Sequence, residues 1–447
     1  MTLRIGFGRI DITPPIGVEL AGFGPFLRRR STSVDGRIYA RALAVEHESG
    51  RWVIVSCDLL GVAESTVRTI AELVAGHTGW RTDEVVVHAT HNHSGPATLP
   101  DMIGWGEIDQ DYFAQLPGLI ARSCIAAIDD LSDGWFHHAE VPLERFAHNR
   151  MRPRRGLTNA GALDRSWEEP DRAAIDTTVH VLSAYRMRAG TAQLAGFVAY
   201  YSCHPVVCCE QCSTIHGDFP GEALQLVEAQ LSAATGVYLQ GALGDINPLY
   251  AHGPQDESRR ALEMFASRLA DAVSHGIATG TPLQVSTVTS QRSDVRYDLA
   301  PVDISTLTAR RDQSVDTPMA AVITTSLDRT LALLASGTDV RRPVTAQLLT
   351  LGPITLIGFN LEVFHGIKRR LERELGAMCL VMSTTNGYLG YAPTRDAYLP
   401  SADPYPAYEV PIIVSHLPFE ADIEDRLVAA ARYLFADVSH AAHVPTK

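Results

Sequence analysis

The sequence predicts an α/β fold, with mixed β-sheets flanked by helices in a single large domain. Short apolar runs rich in Val and Ile alternate with amphipathic segments along the whole chain, which is typical of sheets covered by helices. No composition shift, internal repeat or low-complexity linker divides the 447 residues. We therefore expect one domain over residues 1–440 and a short tail over 441–447.

Five segments are predicted as strands because they are short, apolar and rich in β-branched residues. These are Ile38–Val45, Trp52–Ser56, Val85–His88, Ala195–Tyr201 and Thr355–Phe359. Six segments are predicted as helices because their apolar residues recur at intervals of three and four. These are Ser65–Ala75, Phe113–Ile128, Glu222–Ala234, Glu257–Val273, Phe364–Leu375 and Ile423–Phe435. Strands and helices are interspersed, as the α/β class requires.

Composition and charge exclude several classes of protein. Hydrophobic residues make up 46% of the chain and charged residues 20%, which excludes disordered, collagen-like and coiled-coil chains. The formal net charge of −13 argues against a nucleic-acid partner or an anionic membrane surface. The sequence has no apolar stretch of the roughly 18 residues that a membrane helix needs, so we expect no stable membrane association.

The cysteine content and the first residues indicate a reducing compartment. The chain has seven cysteines, an odd number, which does not favour a disulfide framework. Its beginning lacks the apolar core and the cleavage site of a secretory signal. We therefore expect the protein in the cytoplasm. The sequence leaves open whether it forms a homo-oligomer.

Two histidines, His91 and His93, follow the predicted strand Val85–His88. Residues two apart in an extended chain face the same side, so both imidazoles could converge on one ligand. The end of a strand is also where α/β proteins usually bind ligands. Two imidazoles are only half of a metal site, and the alternative is a pair of core histidines bonded to backbone.

A second apolar strand, Ala195–Tyr201, brings His204 to its end in the same way. Three cysteines and a histidine follow at close spacing: Cys208, Cys209, Cys212 and His216. Together they could form a closed structural zinc site, although they contain only one Cys-x-x-Cys pair. The alternative is a set of cysteines that fill space in the core.

Two further segments place polar residues where a ligand could bind. The glycine-rich turn Gly241–Pro248 aims Asp245 and Asn247 into a cleft, unless it is only a well-formed turn. Glu362 lies among apolar residues where a strand gives way to a helix, so it requires a cation or a metal as partner. The segment Tyr388–Pro411 is dense in Tyr, Pro and Gly, and so long a loop favours a functional role over solvent cover.

Taken in order along the chain, these motifs resemble the catalytic domain of the neutral (non-lysosomal) ceramidases, a family of zinc-dependent amidases. The motifs are Gly8–Gly17, Ala89–Pro96, Cys203–Pro205, Gly217–Gly221, Gln240–Pro248, Glu362, Asn386–Tyr391 and Tyr408–Glu409. They cover nearly the whole chain. The resemblance implies that residues 1–440 form a neutral-ceramidase-like zinc hydrolase domain.

The resemblance also implies a Zn²⁺ cofactor and its ligands. Carried over motif by motif, the family's two histidines, glutamate and tyrosine correspond to His91, His204, Glu362 and Tyr391. Imidazole and oxygen ligands suit Zn²⁺, and water or substrate completes such a catalytic site.

Four further positions are implied as catalytic. His93 would lie beside the metal as a proton carrier or as an additional ligand. Arg150 corresponds to an arginine near the substrate carbonyl, and Tyr408 to a tyrosine of the same pocket, at a slightly longer spacing from Tyr391. Asn247 stands where the family has a serine. Its amide cannot act as a nucleophile, but it can donate to an oxyanion or orient a water molecule.

The function that the resemblance implies is zinc-dependent hydrolysis of a C–N amide bond by an activated water. The family's C-terminal immunoglobulin-like domain and secretory signal are not recognised in this sequence. We therefore expect a small N-acyl or related linear amide as substrate rather than membrane ceramide, and Arg395 and its polar neighbours favour that choice. The alternatives are an esterase, lactonase or lyase with the same zinc site, and a non-catalytic zinc-stabilised binding protein.

Overall fold

The structure is a computed structural model that describes residues 3–25, 27–231, 234–300, 305, 318–337, 340–375, 378–414 and 416–441. Residues 442–447 of the expected tail lie outside these ranges. The described strands are, in chain order, β1 (Arg4–Asp11), β2 (Ser33–Val34), β3 (Tyr39–His47), β4 (Gly50–Cys57), β5 (Val85–Ala89), β6 (Ser132–Asp133), β7 (Trp135–Pro142), β8 (Ala147–Asn149), β9 (Thr178–Arg188), β10 (Thr191–Tyr201), β11 (Thr214–Ile215), β12 (Thr235–Gln240), β13 (Ile246–Pro248), β14 (Thr281–Leu283), β15 (Val288–Val295), β16 (Val344–Leu351), β17 (Ile354–Phe359), β18 (Glu362–Val363), β19 (Met378–Met382) and β20 (Tyr391–Ala392).

The described helices are α1 (Glu64–Thr78), α2 (Gln110–Asp129), α3 (Asn159–Leu163), α4 (Asp218–Gln230), α5 (Gln255–Thr279), α6 (Pro318–Ala335), α7 (His365–Leu375), α8 (Val410–Ile413) and α9 (Ile423–Ala441). Short 3₁₀ turns cover Thr82–Glu84, Arg172–Ala174 and Arg395–Tyr398, and Tyr405–Glu409 form a π-helical turn. Every strand and helix predicted from the sequence overlaps an element of the same type, and the α/β class is confirmed. None of the helices in the described ranges is long and apolar enough to cross a membrane.

Local sequence explains where these elements begin and end. Helix α1 buries Val67, Ile70 and Val74 on one face, as their spacing of three and four predicts. It ends at Gly79, whose φ of 72° is a left-handed conformation that glycine adopts without strain. Helix α2 begins where the side chain of Asp109 accepts the backbone N–H of Tyr112, a favourable N-terminal cap.

Three larger sheets form the body of the described structure. Their strand orders are β5-β4-β3-β1-β6, β12-β10-β9-β7-β14 and β15-β16-β17-β19. Helices cover one face of each sheet: α1 and α2 on the first, α4 and α5 on the second, α7 and α9 on the third. The other faces meet in a central core that contains Ile54, Tyr200 and Leu349, one from each sheet. The indole N–H of Trp52 donates to the Thr350 carbonyl at 3.1 Å, which ties the first sheet to the third.

Each of these three sheets contains one parallel pair of strands, and these pairs position the functional residues. The pairs are β4 with β5, β10 with β12, and β17 with β19. The segments beyond their carboxyl ends carry His91, His204 and Glu362. Because ligands of α/β proteins bind beyond the carboxyl ends of parallel strands, the three sheets together bring residues distant in sequence to one place.

Candidate active site

Three histidines and a glutamate converge at the strand ends. The ligand nitrogens of His91, His93 and His204 lie within 4.8 Å of one another. Oε2 of Glu362 lies 3.0 Å from Nε2 of His204 and 3.4 Å from Nε2 of His91. Three of these side chains are at most 2% exposed. The cluster is therefore an enclosed polar site in an apolar surrounding.

His91 and His93 lie close together because of a turn in the backbone, and not because they share one face of an extended strand as predicted. The chain does not continue as a strand through them, because His91 has a φ of 65°, in the left-handed region that non-glycine residues rarely adopt. The two ring centroids are nevertheless 4.8 Å apart. A sharp turn after β5, and not the alternation of an extended strand, thus brings these imidazoles together.

The hydrogen bonds of His91 and His204 fix which nitrogen faces the cluster. Nδ1 of His91 donates to the carbonyl of Leu60 at 2.8 Å, and Nδ1 of His204 donates to that of Leu243 at 2.7 Å. A carbonyl can only accept, so Nδ1 of each ring carries a proton and Nε2 is the nitrogen that faces the cluster.

The protonation states of this cluster suit a metal ion. Burial lowers the pKa of His204 to about 4, so the ring is neutral at pH 7. Burial would raise the pKa of Glu362, but His91, His204 and Tyr388 together lower it to about 2. The 3.0 Å between Nε2 of His204 and Oε2 of Glu362 accommodates either a shared proton, as in a hydrogen bond, or a metal ion bound by both atoms. Neutral imidazole and ionised carboxylate are the forms that bind metals, so the donor set fits Zn²⁺.

His93 is the third imidazole of the cluster. Its Nδ1 accepts the backbone N–H of Phe23 at 3.2 Å, and its Nε2 is buried without a hydrogen-bond partner. Burial holds the pKa of His93 well below its usual value, so the ring is neutral. Because Nδ1 accepts, Nε2 carries the ring proton and faces the cluster as a donor. Gly22, with a φ of 86°, packs so closely that a Cβ there would lie 2.4 Å from Nδ1 of His93. The ring is therefore held firmly, and its geometry suits either a ligand or a proton carrier.

Tyr388 holds the carboxylate of Glu362 by a hydrogen bond. Its hydroxyl donates to Oε1 of Glu362 at 2.6 Å, and its ring lies against that of His91 with centroids 5.8 Å apart. Tyr388 belongs to the sequence motif Asn386–Tyr391, but the sequence alone does not indicate its role. Only the spatial pairing of residues 26 positions apart shows that it orients a carboxylate.

The cluster opens into a cavity of about 120 Å³. Arg150, Tyr391 and Asn247 all line it. The Arg150 guanidinium stacks on the Tyr391 ring at 4.9 Å and donates to the Gly244 carbonyl at 2.7 Å. Burial disfavours the charge of Arg150, yet Tyr391 and Glu362 raise its pKa, so it stays cationic.

Tyr391 and Asn247 each present a polar group to this cavity. The Tyr391 ring lies 6.5 Å from that of His204, which places it beside the cluster. Burial raises the pKa of Tyr391 well above its usual value, although Arg150 opposes the shift. Oδ1 of Asn247 is buried and has no hydrogen-bond partner in the protein. Asp245, by contrast, accepts the backbone N–H of His365 at 2.7 Å and does not line the cavity.

Tyr408 does not reach the cavity. It packs against Tyr398, with ring centroids 5.7 Å apart, whereas Tyr405 lines the cavity and lies 6.3 Å from the Tyr391 ring. The π-helical turn at Tyr405–Glu409 sets which tyrosine faces inward. The place expected for Tyr408 is therefore occupied by Tyr405.

The polar part of the same loop also lies elsewhere. Arg395 forms an ion pair with Asp425 and lines a neighbouring cleft. The loop contributes Tyr405 and Val410 to the cavity instead, and Ile413 and Val414 follow directly. The expectation of a polar ligand rested on Arg395 and its neighbours. Apolar side chains make up much of the cavity wall, alongside Arg150, Asn247 and Tyr391.

The cysteine-rich turn packs as a group of thiols. All seven cysteines are buried and unbridged. Sγ of Cys212 lies 2.7 Å from that of Cys208 and 3.7 Å from that of Cys209. His216 turns away and accepts the backbone N–H of Asp218 at 3.1 Å. Among the described residues, these side chains do not form a group of three ligand atoms within 4.8 Å.

The fold and this cluster define a class: an α/β protein with a buried histidine–glutamate cluster, of the composition that can hold a metal, beyond its parallel strands. Residues 3–296 match the family described as "Neutral/alkaline non-lysosomal ceramidase, N-terminal". The chain belongs to this family, as its motifs indicate.

Relatives and solved structures agree with the assignment. The chain is 25% identical over 342 residues to the neutral ceramidase of Drosophila pseudoobscura pseudoobscura and over 341 residues to that of Drosophila melanogaster. Each match covers 66% of this chain and 47% of the relative, so the chain spans about half the length of these relatives. The crystal structure of neutral ceramidase from Pseudomonas aeruginosa has a similar fold, with a TM-score of 0.74 and 19% identity over 100% of this chain and 76% of that one.

Proposed function

We propose that this protein is a zinc-dependent amidase that cleaves the C–N bond of an N-acyl substrate with water. The observation that carries the proposal is the convergence of three imidazoles and one carboxylate on a cavity that also holds Arg150 and Tyr391. His91, His204 and Glu362 would hold the Zn²⁺, with His93 and Tyr391 close by. A bound Zn²⁺ supplies Lewis-acid polarisation of the substrate carbonyl and lowers the pKa of water.

The residues around the cavity have the chemistry that amide hydrolysis needs. The Arg150 guanidinium is partly buried, cationic and bonded to the Gly244 carbonyl, so it can hold a carbonyl oxygen as negative charge develops on it. Tyr391 and Tyr405 also line the cavity, and their hydroxyls are further donors. Donors fixed before the reaction need no reorganisation during it.

Proton transfer falls to His93 and water orientation to Asn247. The unpartnered Nε2–H of His93 can donate its proton to the leaving nitrogen and regain one from the attacking water. The unpartnered Oδ1 of Asn247 can accept a hydrogen bond from water or from the substrate N–H. Asn247 thereby orients the reactants without forming a covalent intermediate.

The apolar walls favour an N-acyl group of hydrocarbon character. Eight apolar side chains line the cavity beside the cluster: Phe23, Leu60, Met102, Trp105, Val206, Val410, Ile413 and Val414. A site lined in this way binds an alkyl chain better than a charged group. Ceramide, the substrate class in the relatives' names, has such a chain. A short acyl amide would contact the same apolar side chains, so the rate of hydrolysis should be measured as a function of acyl chain length. The cytoplasmic location stays a prediction.

The test is hydrolysis by the zinc-reconstituted full chain of N-acyl sphingosines of increasing acyl length, alongside N-acyl amino acids. We expect amine release that is abolished by a chelator, restored by Zn²⁺ and absent in Glu362→Gln. An ester of the same acyl group tests whether the site prefers nitrogen as leaving atom. Turnover of the ester alone would replace the amidase with an esterase. No turnover of any substrate by metal-loaded protein would contradict the proposal.

A further inference from the structure

A second group of metal-ligating side chains lies on the second sheet. His138 and Glu140 are two apart on β7, so they face the same side. His180 on β9 pairs directly with Glu140 in the antiparallel register. Cross-strand partners of this kind bring their side chains together. The strand register therefore places two imidazoles and a carboxylate side by side.

The distances within this group are compatible with a metal site. Nε2 of His138 lies 3.2 Å from Nδ1 of His180, close enough for one ring to donate a hydrogen bond to the other when no ion is bound, and Oε1 of Glu140 lies 3.9 Å from the same Nδ1. All three ligand atoms lie within 4.8 Å of one another. Two nitrogens bound to one tetrahedral Zn²⁺ are about 3.3 Å apart, given Zn–N bonds of about 2.0–2.1 Å. The His138–His180 separation already matches that edge.

The charges around the group permit a cation. The ammonium of Lys368 is near His180, but it is bonded to Asp176 and lies 2.6 Å from Glu372, so two carboxylates neutralise it. The Glu140 side chain is 55% exposed and that of His180 is 11% exposed. The carboxylate can therefore turn toward the imidazoles, and solvent can fill the remaining coordination positions.

We propose that His138, Glu140 and His180 bind a divalent transition-metal ion of the zinc type, separate from the centre at His91, His204 and Glu362. Imidazole with carboxylate suits Zn²⁺, Cu²⁺ and Ni²⁺ and disfavours Ca²⁺ and Mg²⁺. The bound ion would cross-link β7 to β9 where Glu140 pairs with His180. This site goes beyond the proposed function and does not depend on it.

The experiment counts Zn²⁺ on the full chain after chelator treatment, by titration with Zn²⁺ alone and by elemental analysis of the gel-filtered protein. The wild type should bind two equivalents. Glu362→Gln, which disables the first centre, should retain one. His138→Ala should lose one equivalent and keep amidase activity. Glu140→Gln should weaken the second binding event by about tenfold or more.

The matched control is His137→Ala, on the same strand. His137 faces away from the group, and its Nδ1 lies 3.1 Å from the Gly280 carbonyl, so this variant should still bind two equivalents. The proposal is overturned if the wild type binds no equivalent beyond the one lost in Glu362→Gln, or if His138→Ala binds as much Zn²⁺ as the wild type. In the second case the extra ion belongs elsewhere, for instance at the thiols of Cys208 and Cys212. Thermal unfolding of each apo variant shows whether it is folded, and His180 is left intact because it is buried.

Discussion

The hydroxyl of Tyr388 donates to one oxygen of Glu362 at 2.6 Å while the other oxygen lies 3.0 Å from Nε2 of His204. The carboxylate is thus held between a hydrogen-bond donor and the position proposed for the metal. A hydrogen bond of this kind orients a metal ligand and keeps it in the ionised form.

Removing this hydroxyl should weaken metal binding without unfolding the protein. We expect Tyr388→Phe to lower Zn²⁺ affinity by about 10- to 100-fold, the usual effect of losing a group that orients a ligand. Competition with a chromophoric chelator measures the affinity. The control is Tyr112→Phe, which removes a buried hydroxyl bonded to the Ile12 carbonyl at 2.6 Å, remote from the site. Equal Zn²⁺ affinity in the two variants would show that Tyr388 has no such role.

His93→Ala separates the two roles open to this histidine. Because His91, His204 and Glu362 remain, we expect the variant to keep one Zn²⁺ at the active site and to lose about 100-fold or more in kcat, the size of a general acid–base contribution. Steady-state kinetics and metal content are measured on the same preparation. Loss of the metal would make His93 a ligand, and full activity would remove it from the mechanism.

Tyr405 and Tyr408 provide a matched pair within one turn of the chain. Tyr405 lines the cavity, whereas Tyr408 packs against Tyr398. We expect Tyr405→Phe to lower kcat/KM by about tenfold or more, since an oxyanion donor contributes more than that. Tyr408→Phe should stay within about twofold of the wild type. The reverse order of effects would show that the catalytic complex uses another arrangement of this loop.

The buried His88 should make stability depend on pH. Its Nε2 accepts the Gln240 N–H at 2.8 Å, and burial lowers its pKa to about 3. Between the unfolded value of about 6.5 and about 3, the unfolded chain binds a proton that the folded chain does not. Stability should therefore fall as pH falls through this window, by about 1.4 kcal/mol per pH unit for this residue.

Urea unfolding of the metal-free protein between about pH 6 and pH 4 measures this slope. His88→Gln keeps an acceptor for Gln240 and should reduce the slope by that amount. His77→Gln, which removes an exposed imidazole from α1, is the control. An unchanged slope in His88→Gln would mean that His88 takes up its proton without unfolding.

The sequence predicted the residues at strand ends well because burial determines both the strand and where it stops. Val85–His88 and Ala195–Tyr201 are apolar runs, and the polar residues that follow them have to lie at a sheet edge. His91 and His204 do lie there, one beyond β5 and one beyond β10. Glu362 was predicted for a different reason: a carboxylate in an apolar segment needs a partner.

The sequence could not predict which side chains of the irregular loop face the metal site. Tyr405 and Tyr408 are three residues apart, and a π-helical turn sends them to different surroundings. Arg395 lies outside the cavity and forms an ion pair with Asp425 on α9. The group on β7 and β9 was missed for a related reason, because it exists only in the register that pairs Glu140 with His180.

The left-handed backbone conformation of His91 is unfavourable for a residue with a side chain, yet the proposed metal site needs the imidazole at this position. A glycine at that φ of 65° would relax the backbone but could not bind a metal. In the apoprotein we expect His91→Gly to be about 1 kcal/mol more stable than His91→Ala, since only the second keeps a Cβ in this conformation. Thermal unfolding compares them. If the proposed Zn²⁺ binds here, mass action offsets this cost in the wild type, and removal of the ion leaves the folded chain without that compensation. Under the proposed function, a shortage of zinc would then lower the amount of folded protein as well as its activity.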